Sequence, residues 1–93
     1  MEIEAFQQLM GDIYGERDGA RGVAASVAWL TEEVGELARA ARKGSVDDQR
    51  HELGDVLAWT ASLANQLGVS LSAAAARYAD GCPKCASTPC TCR

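Results

Sequence analysis

Two acidic runs carry most of the chemistry available to this sequence: Glu32-Glu33-Val34-Gly35-Glu36 and Glu52-Leu53-Gly54-Asp55. On helices, Glu33 and Glu36 are neighbours at i,i+3, as are Glu52 and Asp55, and Glu32 meets Glu36 at i,i+4. Each pair sets like charges side by side, which costs about 0.2–0.5 kcal/mol. Solvated helix faces alternate sign, and Arg39 is the one obvious relief near Glu36 in sequence. Glu33 and Glu36 flank Val34 and Leu37, while Glu52 and Asp55 flank Leu53 and Val56, so the acids stand at the edge of apolar stripes. Carboxylates crowded there would take up protons unless a cation neutralised them. An all-oxygen set selects a hard cation, and Mg²⁺ accepts carboxylates together with substrate phosphates while keeping waters. Such a centre polarises a phosphoryl group, screens its charge and prepares a water for attack. The plain alternative for a single E-x-x-E is a solvated face with no ligand.

The elements that must position these acids are helices. Ile3, Phe6, Leu9, Met10 and Ile13 recur at helical spacing and predict a first helix over 3–14. Residues 15–22, with three glycines and four charges, read as a polar loop. Val27, Leu30, Val34, Leu37, Ala38 and Ala41 predict a second helix from Val23 to Lys43, closed by Gly44. Ser45, with Asp48 three residues on, opens a third helix whose apolar period continues to Gly68. Ser70 caps a shorter fourth helix through about Asp80. Folding the chain back about Gly44 sets Glu36 opposite Glu52, Glu33 opposite Asp55, and Trp29 level with Trp59. The two indoles are wide enough to stack on a nucleobase, or to serve as core. Gly35 and Gly54 sit inside these helices, where each costs about 1 kcal/mol relative to alanine, and close helix approach or ligand access would explain them.

With 93 residues, 47% of them apolar and many of those alanine, the chain has one small, marginal core. The expected fold is all-α: a helical hairpin with flanking helices, completed by self-association into a four-helix-bundle-type core. Residues 1–80 form that domain, and 81–93 form a Cys-rich appendage. Nine Lys+Arg against thirteen Asp+Glu give a net charge of −4, which argues against binding a nucleic-acid polymer. No stretch approaches the roughly 20 apolar residues of a membrane span, and Met1-Glu2-Ile3-Glu4 lacks the basic start of a secretion signal, so a cytoplasmic location is expected.

All four cysteines lie in Cys82-Pro83-Lys84-Cys85 and Cys90-Thr91-Cys92, too close together to staple distant parts of a fold. Four thiolates suit tetrahedral Zn²⁺, though these spacings are tighter than in ordinary zinc ribbons. Reduced thiols or a redox-responsive pair are the other readings. His51 points about 100° around the helix from Glu52 and reads as a surface or packing residue, with proton transfer as the alternative.

The two acidic motifs, with Trp29-Leu30 before the first and Val56-Leu57-Ala58-Trp59 after the second, resemble the MazG-like nucleotide pyrophosphohydrolases of the all-α NTP pyrophosphatase superfamily, which also includes the dimeric dUTPases. The likeness runs over about residues 3–80. It implies hydrolysis of nucleoside triphosphates between the α- and β-phosphates, in a dimer or tetramer with sites near subunit interfaces. It further implies that Glu33, Glu36, Glu52 and Asp55 bind Mg²⁺ and that Glu32 holds or deprotonates the attacking water. Trp59 falls where relatives present a ring to the base, and Asn65 where a polar group is common. Arg17, Arg21, Lys43 and Arg77 are candidates for the phosphates. Two other functions compete: a non-catalytic metal-binding adaptor whose acids are merely solvated, and a sensor that binds nucleotide with Mg²⁺ without releasing pyrophosphate.

Overall fold

Ser45 opens the longest helix with a reciprocal cap. Its hydroxyl accepts the Asp48 N–H at 3.1 Å, and the Asp48 carboxylate accepts the Ser45 N–H at 3.0 Å. Helix α3 then runs Val46–Leu67 and stops at Gly68, whose left-handed backbone (φ 69, ψ 30) lets its N–H close on the last turn. The computed structural model describes all 93 residues and adds α1 (Ile3–Arg21), α2 (Val23–Lys43) and a short α4 (Leu71–Ala75) that tightens into a 3₁₀ turn at Ala76–Tyr78. There is no strand, so the expected all-α class holds. No helix is long and apolar enough to cross a membrane.

The cap makes two measurable contributions. Ser45→Ala should destabilise the chain by about 1 kcal/mol in urea unfolding. The Ser45 backbone N–H, then its hydroxyl, hold the Asp48 carboxyl below the usual carboxylate range. That stabilisation is present above the unfolded carboxyl's pKa and is lost as pH falls through the lowered folded value. Asp48→Asn should therefore flatten the acid limb of the stability profile.

Residues 15–22 correct the sequence reading. The segment is helical to Arg21, and Gly22 alone, at φ 90, separates α1 from α2. Gly15 and Gly19 are exposed helix positions, and contacts further along override their turn preference. Buried Asp18 pairs with Arg21 at 2.8 Å, and Gln66 of α3 donates to the Asp18 carbonyl at 2.6 Å. The fourth helix is also shorter than its pattern predicts, since regular α structure ends at Ala75 rather than near Asp80.

Helix α3 packs against both α2 and α1. Gln7 and Asn65 tie α1 to α3: the Gln7 amide donates to Asn65 Oδ1 at 3.0 Å, and the Asn65 amide donates to the Gln7 carbonyl at 3.0 Å. Buried apolar side chains are few, namely Met10, Ala40, Ala61 and Ala64. Val23, Val27 and Val34, spaced as one stripe on α2, stay 41%, 44% and 49% exposed, and Leu53 and Leu57 of α3 stay 56% and 47% exposed. The radius of gyration, 15.3 Å, exceeds the roughly 12 Å of a compact chain this long.

Candidate active site

The α2–α3 hairpin sets the register of the site. Gln49 reaches back across the turn to donate to the Ala40 carbonyl at 3.1 Å. Farther up the hairpin Trp29 and Trp59 lie parallel, with centroids 5.9 Å apart and planes within 7°. Between these two contacts lie the acids, on the same seam of the hairpin. Ser26 and Ser62, one turn past the indoles on each helix, are buried, so small polar side chains rather than leucines continue the seam.

Glu33 feels its own burial and the charges of acids on both helices. Its pKa is raised, first by burial and then by the charges of Asp55, Glu36, Glu52 and Glu32. Acids from both helices thus act on one carboxyl. Glu52 Oε2 is shielded from solvent and has no hydrogen-bond partner. No lysine or arginine forms an ion pair with Glu32, Glu33, Glu36, Glu52 or Asp55. A buried orphan oxygen within a group of unneutralised carboxylates is chemically incomplete, and an all-oxygen donor set is the kind that hard dications complete.

His51 is exposed, as expected of a surface residue, and it stands beside two of the acids. Its Nε2 stands 3.3 Å from Asp55 Oδ2, and His51, Glu52 and Asp55 form a group whose ligand atoms lie within 4.8 Å of one another. The signal was the i,i+4 spacing to Asp55, which places two side chains on one helix face.

Two concavities flank the acids. A cavity of about 170 Å³ is lined by Tyr14, Arg17, Arg21, Asp55, Trp59 and Ser62, among others. Arg21 lies over the Trp59 ring, 4.8 Å from its centroid, while still bonded to Asp18. On the other side, Glu36, Arg39, Lys43, Asp48, His51 and Glu52 line an open cleft of about 430 Å³. Arg17, Arg21 and Trp59 are thereby gathered beside Asp55, and Lys43 beside Glu36 and Glu52. Sequence spacing alone did not find Tyr14 or Ser62, because they reach the cavity through the packing of α1 on α3.

Other candidate residues lie elsewhere. Asn65 is occupied by Gln7 and lines a shallow groove with Glu4, Gln7 and Val69. Arg77, on the 3₁₀ turn, lies over its neighbour Tyr78 at 5.7 Å. The four cysteines gather in the C-terminal tail as free thiols. Hydrogen bonds from Thr91, side chain first and then backbone, hold the Cys85 thiol down at about 5.

A family model, the MazG nucleotide pyrophosphohydrolase domain, matches residues 21–84. That span is more than half of the chain and holds α2, α3 and both acidic motifs. None of the curated proteins compared with the chain matches it.

Proposed function

Since the chain belongs to the MazG nucleotide pyrophosphohydrolase family, we propose that it hydrolyses nucleoside triphosphates to the monophosphate and pyrophosphate with the help of Mg²⁺. The observation that carries this reading is the seam itself: Glu52 Oε2 lies shielded without a partner, and burial followed by the acids of both helices raises the Glu33 pKa. In this reading Glu33, Glu36, Glu52 and Asp55 hold the metal. When bound, Mg²⁺ supplies charge neutralisation of the phosphates and polarisation of the reacting phosphoryl group.

The chain's own residues do the rest. Glu32, exposed beside Glu33, is available to orient the attacking water and accept its proton. Trp59 and Tyr14 offer aromatic surface to the base, with Trp29 backing Trp59. Arg17 and Arg21 stand at that cavity, and Lys43 with Arg39 at the opposite cleft, so guanidinium and ammonium groups are available to the phosphate chain on either side of the acids. Asn65 and Arg77 line neither of these concavities, and this reading gives them no contact with substrate.

The aromatic cavity of about 170 Å³ is smaller than the roughly 300–1,000 Å³ typical of small-molecule sites. A second copy seated on the uncovered apolar faces of α2 and α3 would extend the core that one chain leaves thin, so in this reading the working unit is an assembly of two or four chains. A cytoplasmic location fits free triphosphate as substrate.

The decisive assay offers a panel of ribo- and deoxynucleoside triphosphates with and without Mg²⁺ and identifies products by phosphorus NMR in oxygen-labelled water. Pyrophosphate and monophosphate, dependent on Mg²⁺, from at least one nucleotide are the expected result. Orthophosphate as the first product would place cleavage at another bond. Tight nucleotide binding with no turnover anywhere in the panel would instead make the protein a sensor.

A further inference from the structure

The tail from Gly81 to Arg93 has a defined fold and nothing ordinary to hold it. None of its residues is buried, and no hydrogen bond joins residues 82–93 to the three long helices. A segment this short cannot offset its conformational entropy without a core or a cross-link. Its sulfur atoms nonetheless converge: Cys82, Cys85, Cys90 and Cys92 offer ligand atoms that all lie within 4.8 Å of one another.

The separations discriminate between the chemistries open to four thiols. Cys82 Sγ and Cys92 Sγ are 3.7 Å apart, and Cys85 Sγ and Cys90 Sγ are 4.0 Å apart. A disulfide needs about 2.05 Å. Four thiolates at the Zn–S distance of about 2.3 Å form a tetrahedron with edges of about 3.8 Å. Both observed contacts fall close to that edge.

The backbone is arranged for sulfur as well. After Cys85 the chain doubles back: Ala86 adopts φ 57, and its N–H donates to the Cys82 carbonyl at 2.6 Å. Positive φ is unfavourable for a non-glycine residue by about 1–2 kcal/mol, so the turn must be held from outside. The N–H of Thr91 points at Cys85 Sγ at 3.3 Å, and that of Cys92 at Cys90 Sγ at 3.4 Å, which are donors suited to thiolate. Gly81, at φ 103, permits the closure, because a Cβ there would sit 2.7 Å from Thr88 Oγ1.

We propose that Cys82, Cys85, Cys90 and Cys92 form a closed tetrathiolate site for one Zn²⁺ per chain, a structural cross-link that folds residues 81–93 as a unit apart from the hydrolytic domain. The family match ends at residue 84, so three of the four ligands lie outside it. With every position taken by protein the ion has no open valence, and its contribution is folding free energy rather than catalysis. The site is independent of the acidic seam.

The test is metal analysis of the full chain purified without chelator under reducing conditions. One zinc per chain is expected, falling at least tenfold in Cys85→Ser/Cys90→Ser while the far-ultraviolet helix signal stays unchanged. Cobalt titrated into the zinc-free wild type should give the intense thiolate-to-metal charge-transfer band of a tetrahedral sulfur site, absent in the double variant. A wild-type chain with four reactive thiols, no retained zinc and no cobalt band would overturn the proposal. So would zinc that persists in the double variant and leaves in Glu52→Gln, which would assign the ion to the carboxylates. Isolation of the reduced-buffer protein with both thiol pairs oxidised to disulfides would equally refute it.

Discussion

Glu52→Gln should lower Mg²⁺-dependent pyrophosphate release by at least about 100-fold while making the metal-free protein slightly more stable. The two effects point in opposite directions for one reason. Glu52 brings a charge close to Glu33, whose pKa burial and then neighbouring acids raise, and it leaves Oε2 shielded from solvent without a partner. Replacing it with an isosteric neutral amide removes like-charge repulsion of about 0.5 kcal/mol, a rise of roughly 2–4 °C in Tm for a domain this size. A purely scaffolding Glu52 would lose activity and stability together, and a merely solvated one would lose neither. Addition of Mg²⁺ should raise the wild-type Tm at neutral pH and leave the variant nearly unmoved.

The pH dependence sharpens the comparison. Glu33 has a raised pKa in the folded chain, so the folded state holds its proton longer than the unfolded state does. In the absence of metal, stability contributed by this group is present below the unfolded carboxyl's pKa and is lost as pH rises through the raised value. Glu52→Gln removes one of the charges that raise it, which should shrink that loss. Thermal melts across the acid range in chelator would read the difference, and an unchanged profile would mean that the two carboxyls do not interact.

Val27→Asp should dissociate the proposed assembly and destabilise the chain by about 3–5 kcal/mol, the scale of an unpaired charge forced into an apolar interface. In an isolated chain the same change should be nearly silent, within about 0.5 kcal/mol, because Val27 is 44% exposed. Val27 belongs to the α2 stripe with Val23 and Val34, away from the acidic seam. Light scattering across a concentration series gives the subunit number, and a wild-type Tm that rises with protein concentration would confirm linkage. A monodisperse wild-type monomer with a concentration-independent Tm would remove the second copy from the functional reading.

How much of this was legible beforehand follows from how local each signal is. The ends of α2 and α3 are marked by residues acting within a turn of themselves, Gly44, Ser45 with Asp48, and Gly68, and these boundaries fall where the sequence puts them. Because the joint at Gly44 is so short, reflection about it also anticipated the level of Trp29 with Trp59. Residues 15–22 were misread because Gly15 and Gly19 are local signals, whereas what keeps the helix going is Gln66, 48 positions away from Asp18. Asn65 shows the same limit, since nothing near it in sequence reveals that Gln7 takes up its amide. His51 is the exposed residue its position suggests, and its i,i+4 spacing to Asp55 already implies the 3.3 Å contact between them. The apolar periods of α2 and α3 correctly announced helices but could not say which stripes their own chain would leave uncovered.

The seam between α2 and α3 has one more implication. Positions that leucine or alanine would fill to advantage are held by carboxylates and small hydroxyls, so the hairpin is weaker than its backbone allows. Random substitution there would often firm the molecule, which inverts the usual direction of mutational damage. Exchanging the seam acids for apolar residues of similar size should therefore give a greasier, tougher hairpin.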